Sequence, residues 1–209
     1  MNTESGSKYR TDIILASASP RRSEMFALRG IPVEICPADV DEDLPMEMSP
    51  EVTVMYLALK KASWVAKESS HKDGGIVIGA DTVVVYDGEI IGKPADEEEA
   101  FRVLSALRGD CHQVMTGVAL VEFGREKPTQ RDFVRRCLCE KTHVYFKDYS
   151  DEELRAYVKT PEPYDKAGGY AIQETFGRYI DRVDGDRDNV IGFPMYRVEE
   201  YILKDGTGR

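Results

Sequence analysis

The sequence predicts an α/β protein with a mixed central β-sheet flanked by helices. Two observations carry this. Helical and strand-like segments alternate along the chain, and hairpin signals sit among them, so some strands must pair antiparallel. Length and composition agree: 209 residues with 42% hydrophobic side chains are enough for one compact domain with its own core, without a disulfide or metal staple.

The elements follow in order. Residues 12–16 form a short apolar strand around Ile13, Ile14 and Leu15. A helix is expected over 20–29, with Ser19 as N-cap, Pro20 at its first position and Gly30 as its stop. Residues 33–36 read as a strand and 38–48 as an acidic, Pro-containing loop. Ser49-Pro50-Glu51 opens a second helix over 51–68, whose apolar face is Met55, Ala58, Leu59, Ala62, Val65 and Ala66. At helical spacing Lys61 flanks that face, whereas Lys60 points away from it. Residues 76–86 form a β-branched strand, and Asp87-Gly88 turns it into 89–92. A helix over 96–108 is capped by Asp96, and long strands are expected at 113–123 and 133–146. Ser150 with Glu153 is a capping box for a helix to 159. A Gly-rich segment at 168–173, a strand at 179–183 and a helix after Pro194 complete the chain. The expected organisation is a disordered lead over 1–10 and a single domain over 11–205.

The chain has 28 Lys and Arg against 38 Asp and Glu, a formal charge of −10. Affinity for a phosphate backbone comes from Lys and Arg, so no nucleic-acid polymer is expected as a partner. A small anion needs only a local nest of positive charge. The opening MNTESGSKYR has no apolar run and no segment is long enough to span a membrane, so a cytoplasmic location without membrane attachment is expected. Cys36, Cys111, Cys137 and Cys139 then read as reduced thiols. Cys137 and Cys139 share a strand face, but no second Cys/His pair with ligand spacing accompanies them.

Five stretches carry chemistry. In Ser17-Ala18-Ser19-Pro20-Arg21-Arg22 a strand turns into a helix, and two arginines in a first helical turn are unfavourable beside the positive end of the macrodipole unless an anion binds there. A capped helix with solvated arginines is the plainer alternative. Asp81, within Gly79-Ala80-Asp81-Thr82, is out of place in an apolar strand and belongs at a strand end or cleft wall, where a base or metal role explains it. One of the loop acids Asp39, Asp41, Glu42 and Asp43 could join it around a hard cation, although a solvated loop is the common fate of such a run. Lys93, between Gly92 and Pro94, is stiffly held after a strand. Lastly, 164–173 places two glycines between a charged pair and Gln173, whose amide both donates and accepts. No nucleophilic triad and no Gly-rich Lys-Ser/Thr phosphate loop is present.

Together these stretches resemble the Maf family of nucleoside triphosphate pyrophosphatases, related in fold to the inosine triphosphate pyrophosphatases. The likeness runs in register through L-A-S-x-S-P-R-R at 15–22, V-D-E at 40–42, L-A-x-x-K-A at 57–62 and G-A-D-T at 79–82. It continues through G-K-P at 92–94, H-Q-V-M-T-G at 112–117, D-K-A-G-x-Y-x-I-Q at 165–173 and N-V-x-G-x-P at 189–194. The resemblance implies two lobes around a nucleotide cleft and hydrolysis of a nucleoside triphosphate to monophosphate and pyrophosphate. It implies Asp81 as proton acceptor, and Glu42 with Asp81 as holders of a divalent cation: Mg²⁺ first, Mn²⁺ or Co²⁺ as others. It implies Arg22, Lys61 and Lys93 against the triphosphate, Ser17 and Ser19 beside it, and Lys166 in the substrate site. Arg21, Thr82 and Gln173 match the branch acting on dTTP and UTP, which clears such nucleotides or modified pyrimidines from the pool. A homodimer is a further implication. The alternatives are 7-methyl-GTP as substrate, or a nucleotide-binding regulator of cell division without turnover. Gly169, Ala171 and Phe193 depart from the family pattern, and 124–139, with Arg125, Arg131, Arg135 and Arg136, resembles it least.

Overall fold

The computed structural model describes residues 9–10, 12–68, 74–123 and 134–203. Its elements are β1 (Ile13–Leu15), α1 (Pro20–Leu28), β2 (Glu34–Ile35), α2 (Pro50–Glu68), β3 (Gly75–Tyr86), β4 (Glu89–Ile91), α3 (Glu97–Leu107), β5 (Cys111–Phe123), β6 (Val134–Phe146), α4 (Asp151–Val158), β7 (Ile180–Asp184), α5 (Arg187–Ile191) and α6 (Met195–Ile202). Seven strands form one sheet in the order β2-β1-β3-β5-β6-β7, with β4 also on β3. β1 pairs parallel with β2 and β3, and every other pairing is antiparallel, so the sheet is mixed as predicted.

One edge of β3 creates the functional geometry. β1 pairs with β3 only at residues 76–78, and β4 pairs with it only at 84–86. Between them, residues 79–83 have β5 on one side and no strand on the other among the described residues. The sheet therefore carries a notch, reached by side chains from both faces of β3 because successive strand residues point to opposite faces.

The odd-numbered face of β3 is covered by α2. Val54, Leu57, Ala58, Ala62, Val65 and Ala66 are buried there, whereas Met55 and Leu59, expected on the apolar face, are half-buried. The stripe is thus rotated toward Val54 and Leu57. Gly79 and Gly117 let the helix backbone rest directly on the sheet: a Cβ on Gly79 would lie 2.2 Å from the Ala58 carbonyl oxygen, and one on Gly117 2.3 Å from that of Val54.

The even-numbered face is divided. Near β1, Ile76, Ile78, Val118 and Leu120 pack with Phe26 of α1 and Val198 and Ile202 of α6. At the other end Val84, Val114 and Val144 pack with Leu104, Phe146, Tyr149, Leu154 and Phe176 under α3 and α4. Burying each such large apolar side chain contributes on the order of 1.5–3 kcal/mol. The two clusters form the cores of two lobes, and the seam between them is polar.

Most expected boundaries agree within two residues. Asp96 caps α3 through the Glu99 amide, and Ser150 and Glu153 form the predicted capping box of α4. Ser19 holds the N-cap position of α1, but its side chain caps nothing. The chain differs from expectation at its start: Tyr9 is buried, bridges to Leu203 and donates its hydroxyl to Glu199, while Arg10 pairs with Asp12 and Glu122. These two residues belong to the fold rather than to the lead, and residues 1–8 lie outside the described ones. Residues 124–133 of the basic segment, and the expected strand start at 133, also lie outside them. Helix α5 and three short 3₁₀ turns within 162–179 were not expected.

Candidate functional site

A cleft of about 870 Å³ opens at the notch. It is lined by Ser17, Ser19, Arg21, Arg22, Glu42, Lys61, Asp81, Thr82, Lys93, Lys166 and Gln173, every residue that the family resemblance placed in the site, whereas the loop acids Asp39, Asp41 and Asp43 do not line it. Four elements converge on it: the N-terminus of α1 just beyond the carboxyl end of parallel strand β1, one face of α2, the exposed edge of β3, and the turns at 165–173. A crevice at the carboxyl end of a parallel strand, where a helix begins, is the usual place for a ligand in such sheets.

On the α2 side the site is ionic. Asp81 is buried, and its Oδ1 lies 2.7 Å from Lys61 Nζ, which also lies 2.7 Å from Glu42 Oε1. Thr53, Leu57 and Lys61 line the cleft one helical turn apart, so the pitch of α2 aims Lys61 inward. Lys60 instead meets Asp41 at the rim, 2.6 Å away. The Lys61 ammonium, by its hydrogen bond, holds the Glu42 carboxyl below the usual carboxylate range despite partial desolvation. Two carboxylates brought to one ammonium at hydrogen-bond distance fit a single hard divalent cation, whose remaining positions would go to water and phosphate oxygens. Among the described residues no group of three or more His, Cys, Asp or Glu is placed to hold a metal ion.

On the opposite face, Thr82 meets one cation, Arg22, among neutral partners. The Arg22 guanidinium donates from Nε to the Gly192 carbonyl at 2.9 Å, from Nη1 to Ser17 Oγ at 2.9 Å and from Nη2 to Thr82 Oγ1 at 3.0 Å. Three of its five N–H groups are used and the rest remain for an anion. Burial pushes its pKa down to about 10, which still leaves it charged at neutral pH. The uncapped start of α1 adds the Arg21 and Arg22 amides, which have no acceptor inside the helix.

The remaining cations differ in availability. Lys93 is exposed at the cleft and has no ion-pair partner among the described residues. Arg21 lies 4.0 Å from Glu174 Oε1. Lys166 is buried, and its ammonium already meets the Glu162 carbonyl at 2.7 Å, Asp165 Oδ1 at 2.6 Å and Glu174 Oε2 at 3.0 Å. It braces the turns that carry exposed Gln173. Gly168, at φ 71°, takes a left-handed conformation against Val84 and accepts the close packing that brings those turns over β3.

Sequence reasoning assigned no role to Thr116, Asn189, Gly192, Tyr170 or Glu174, all of which touch or support the cleft. The signal was present for four of them, within H-Q-V-M-T-G, N-V-x-G-x-P and D-K-A-G-x-Y-x-I-Q. Their hydroxyl, amide and carbonyl groups gain meaning only once strands 82, 116 and 142 are seen side by side.

Residues 12–204 match the family model described as Maf-like protein. The chain is 43% identical over 198 residues to a dTTP/UTP pyrophosphatase of Caldicellulosiruptor bescii, covering 93% of this chain and 94% of that one. It is 44% identical over 198 residues to a dTTP/UTP pyrophosphatase of Geotalea uraniireducens, covering 95% and 97%. Among solved structures, a HAM1 protein from Coxiella burnetii aligns over 66% of this chain and 73% of its own at 18% identity, with a TM-score of 0.41.

Proposed function

The chain belongs to the Maf-like family, and from that premise we propose that it is a nucleoside triphosphate pyrophosphatase that hydrolyses dTTP and UTP to the monophosphate and pyrophosphate. The observation that carries this is the notch itself: one buried carboxylate, Asp81, faces a cleft whose walls supply cations from four separate stretches of the chain. Such an arrangement suits a compact polyanion attacked at one phosphorus atom.

Asp81 takes a proton from water as the water oxygen bonds to the α-phosphorus. The bond between that phosphorus and the bridging oxygen to the β-phosphorus breaks, and the electron pair leaves with pyrophosphate. Lys61, Lys93 and Arg22 neutralise the charge that gathers on the phosphate oxygens, with Ser17, Ser19 and the amides of α1 as further donors. Positioning and charge neutralisation are the main means by which a protein accelerates phosphoryl chemistry. Glu42 and Asp81 would hold a divalent cation, Mg²⁺ or in its place Mn²⁺ or Co²⁺, which supplies Lewis-acid polarisation of phosphate oxygens. Lys61 then exchanges a carboxylate for a phosphate oxygen. Gln173 reads the pyrimidine in part: its amide can pair with the adjacent carbonyl and N–H of a uracil or thymine edge, and Arg21 and Thr82 are the other positions that match the dTTP/UTP branch. Lys166 enters by holding the 165–173 turns in place.

The test is pyrophosphate release from a panel of nucleoside triphosphates with Mg²⁺, Mn²⁺ or Co²⁺, beside Asp81→Asn and Gln173→Ala variants. Turnover of dTTP and UTP ahead of purine nucleotides is expected. Gln173→Ala raises the dTTP KM more than that of a purine nucleotide. Release undiminished in Asp81→Asn would overturn the catalytic assignment, and preference for 7-methyl-GTP would overturn the substrate.

A further inference from the structure

We propose that Thr116 and Asn189 are positioning residues that hold Arg22 and Thr82 in their working orientation through a connected set of hydrogen bonds across the polar seam. The proposal rests on the reading of Arg22 as a triphosphate ligand and adds to it what keeps that guanidinium in place.

The chain runs from the half-buried Arg22 and Thr82 at the cleft into residues with no exposure to solvent. Thr116 and Asn189 are each 0% exposed, although they lie between two apolar clusters where an unpaired polar group would be costly. Thr82 and Thr116 are direct partners across β3 and β5, with their hydroxyl oxygens 2.9 Å apart. Thr116 Oγ1 donates to the Asn189 carbonyl at 3.3 Å. Arg22 can only donate, so Thr82 Oγ1 accepts from its Nη2. The Thr82 hydroxyl has two acceptors in reach, Thr116 Oγ1 and the Gly192 carbonyl at 3.3 Å, and Thr116 in turn reaches the Asn189 carbonyl. The two hydroxyls thus link a cation at one end to peptide carbonyls at the other, an arrangement in which neighbouring bonds strengthen each other.

Asn189 fixes the far end. Its Nδ2 donates to the Val114 carbonyl and to Thr142 Oγ1, both at 3.0 Å, and Thr142 donates in turn to the Asp186 carbonyl at 3.1 Å. These bonds dock α5 against β5 and β6. The helix ends at Gly192, whose φ of 126° is open only to glycine without strain, and the Gly192 carbonyl is the acceptor for Arg22 Nε. Two independent paths therefore lead from Asn189 to the same guanidinium: one through Thr116 and Thr82, the other through the end of α5. Together they leave the unused edge of Arg22 facing the cleft. Neither Thr116 nor Asn189 lines the cleft, so any effect of theirs on substrate passes through Arg22 or Thr82.

The experiment replaces Thr116 by Val, which keeps the shape and removes the hydroxyl, and by Ser, which keeps the hydroxyl. Melting temperature reports folding, calorimetry with inorganic pyrophosphate reports anion binding, and steady-state dTTP hydrolysis reports KM and kcat separately. Thr116→Val should weaken pyrophosphate binding and raise the dTTP KM by roughly tenfold, the size of one lost buried hydrogen bond, with kcat changed much less. Thr116→Ser should restore both to within about threefold. In an Arg22→Lys background Thr116→Val should add nothing further, because residues acting through one group are not additive. If Thr116→Val does not fold, Thr116→Ala carries the same comparison with Thr116→Ser. The inference is overturned if Thr116→Val binds pyrophosphate like the parent, if Ser rescues no better than Val, or if the losses from Thr116→Val and Arg22→Lys simply add. Unchanged pyrophosphate binding in Arg22→Lys alone would instead overturn the role given to Arg22.

Discussion

The two faces of β3 at the notch solve opposite problems one residue apart. Asp81 looks toward α2 and meets an ionic arrangement that can be exchanged: a lysine shared between two carboxylates, one of them, Glu42, with 62% of its side chain exposed. Thr82 looks the other way and meets a closed set of neutral acceptors around a single arginine. On the function proposed above, the ionic wall changes partners through Glu42 when a cation and a triphosphate arrive, because an exposed charge rearranges at small cost. The neutral wall is less free to do so, because the Thr116 and Asn189 groups behind it are fully buried and breaking their hydrogen bonds leaves a polar group without a partner. The contrast teaches a division of labour: the chemistry is placed where groups can move, and the reference geometry where they cannot.

The largest effect that would sharpen this division is at the ionic wall. Asp81→Asn should lower kcat for dTTP by roughly a thousandfold while changing pyrophosphate affinity only a few-fold, since a missing base costs rate more than binding. Rapid-quench measurement of pyrophosphate release beside calorimetry separates the two. A variant that lost binding and rate equally would show that the walls are not separable. Next in size is Gly79→Ala, which places a methyl 2.2 Å from the Ala58 carbonyl oxygen and must push α2, with Lys61, off the sheet. A cost of about 1–3 kcal/mol in urea unfolding is expected, together with a raised dTTP KM. An unchanged KM would mean that Lys61 does not need α2 seated on the sheet.

How much of this was readable beforehand follows the same division. Ionic residues announce themselves: Asp81 in an apolar strand, Arg21 and Arg22 at a helix start, and Lys61 separated from Lys60 by helical spacing all pointed to the cleft before any coordinates. The hairpin at Asp87-Gly88, the Asp96 cap and the capping box of Ser150 and Glu153 helped place most elements within two residues. The neutral wall was not legible. A threonine in a strand has β-propensity enough to explain it, and its partners lie 34 and 73 positions away along the chain. Nor did the pattern reveal α5, since five residues flanked by Gly185 and Gly192 carry no amphipathic period. The notch depends on where β1 stops and β4 starts, which is pairing register and not composition. Ser19 shows the converse: the residue type fitted an N-cap, but the helix start is left uncapped where the cleft begins.

The neutral wall extends along β5 to His112, and pH can test it there. The buried ring pairs its Nε2 with the Tyr170 hydroxyl at 2.6 Å, and Tyr170 lines the cleft. Burial outweighs the attraction of Asp110 and pushes the His112 pKa down to about 4. In the unfolded chain the value is about 6.5, so between those limits the unfolded state binds the extra proton. The contribution of His112 is fully present above about pH 6.5 and is lost as pH falls toward about 4. Urea unfolding should therefore be weaker at pH 5 than at pH 7 by about 2 kcal/mol from this residue. His112→Gln should remove that part of the slope, and a parallel pH dependence in the variant would place the acid sensitivity elsewhere.

The smallest expected effect sharpens the comparison most finely, because it sits one residue from one of the largest. Lys60 and Lys61 are chemically identical and adjacent, and both are paired to acids of the 38–48 loop, Asp41 and Glu42. Only Lys61 also reaches Asp81. If pairing to the loop were what mattered, the two alanine variants would behave alike. If reaching the edge of β3 is what matters, Lys61→Ala should lower kcat/KM for dTTP by roughly a hundredfold, whereas Lys60→Ala should leave both kcat/KM and melting temperature unchanged. Exposed ion pairs of the Lys60 and Asp41 kind gain little from their contact in water and are screened by salt. A fall in turnover for Lys60→Ala that disappears at high salt would instead assign the rim lysine to long-range attraction of the triphosphate, and the ionic wall would then extend beyond the residues that touch Asp81.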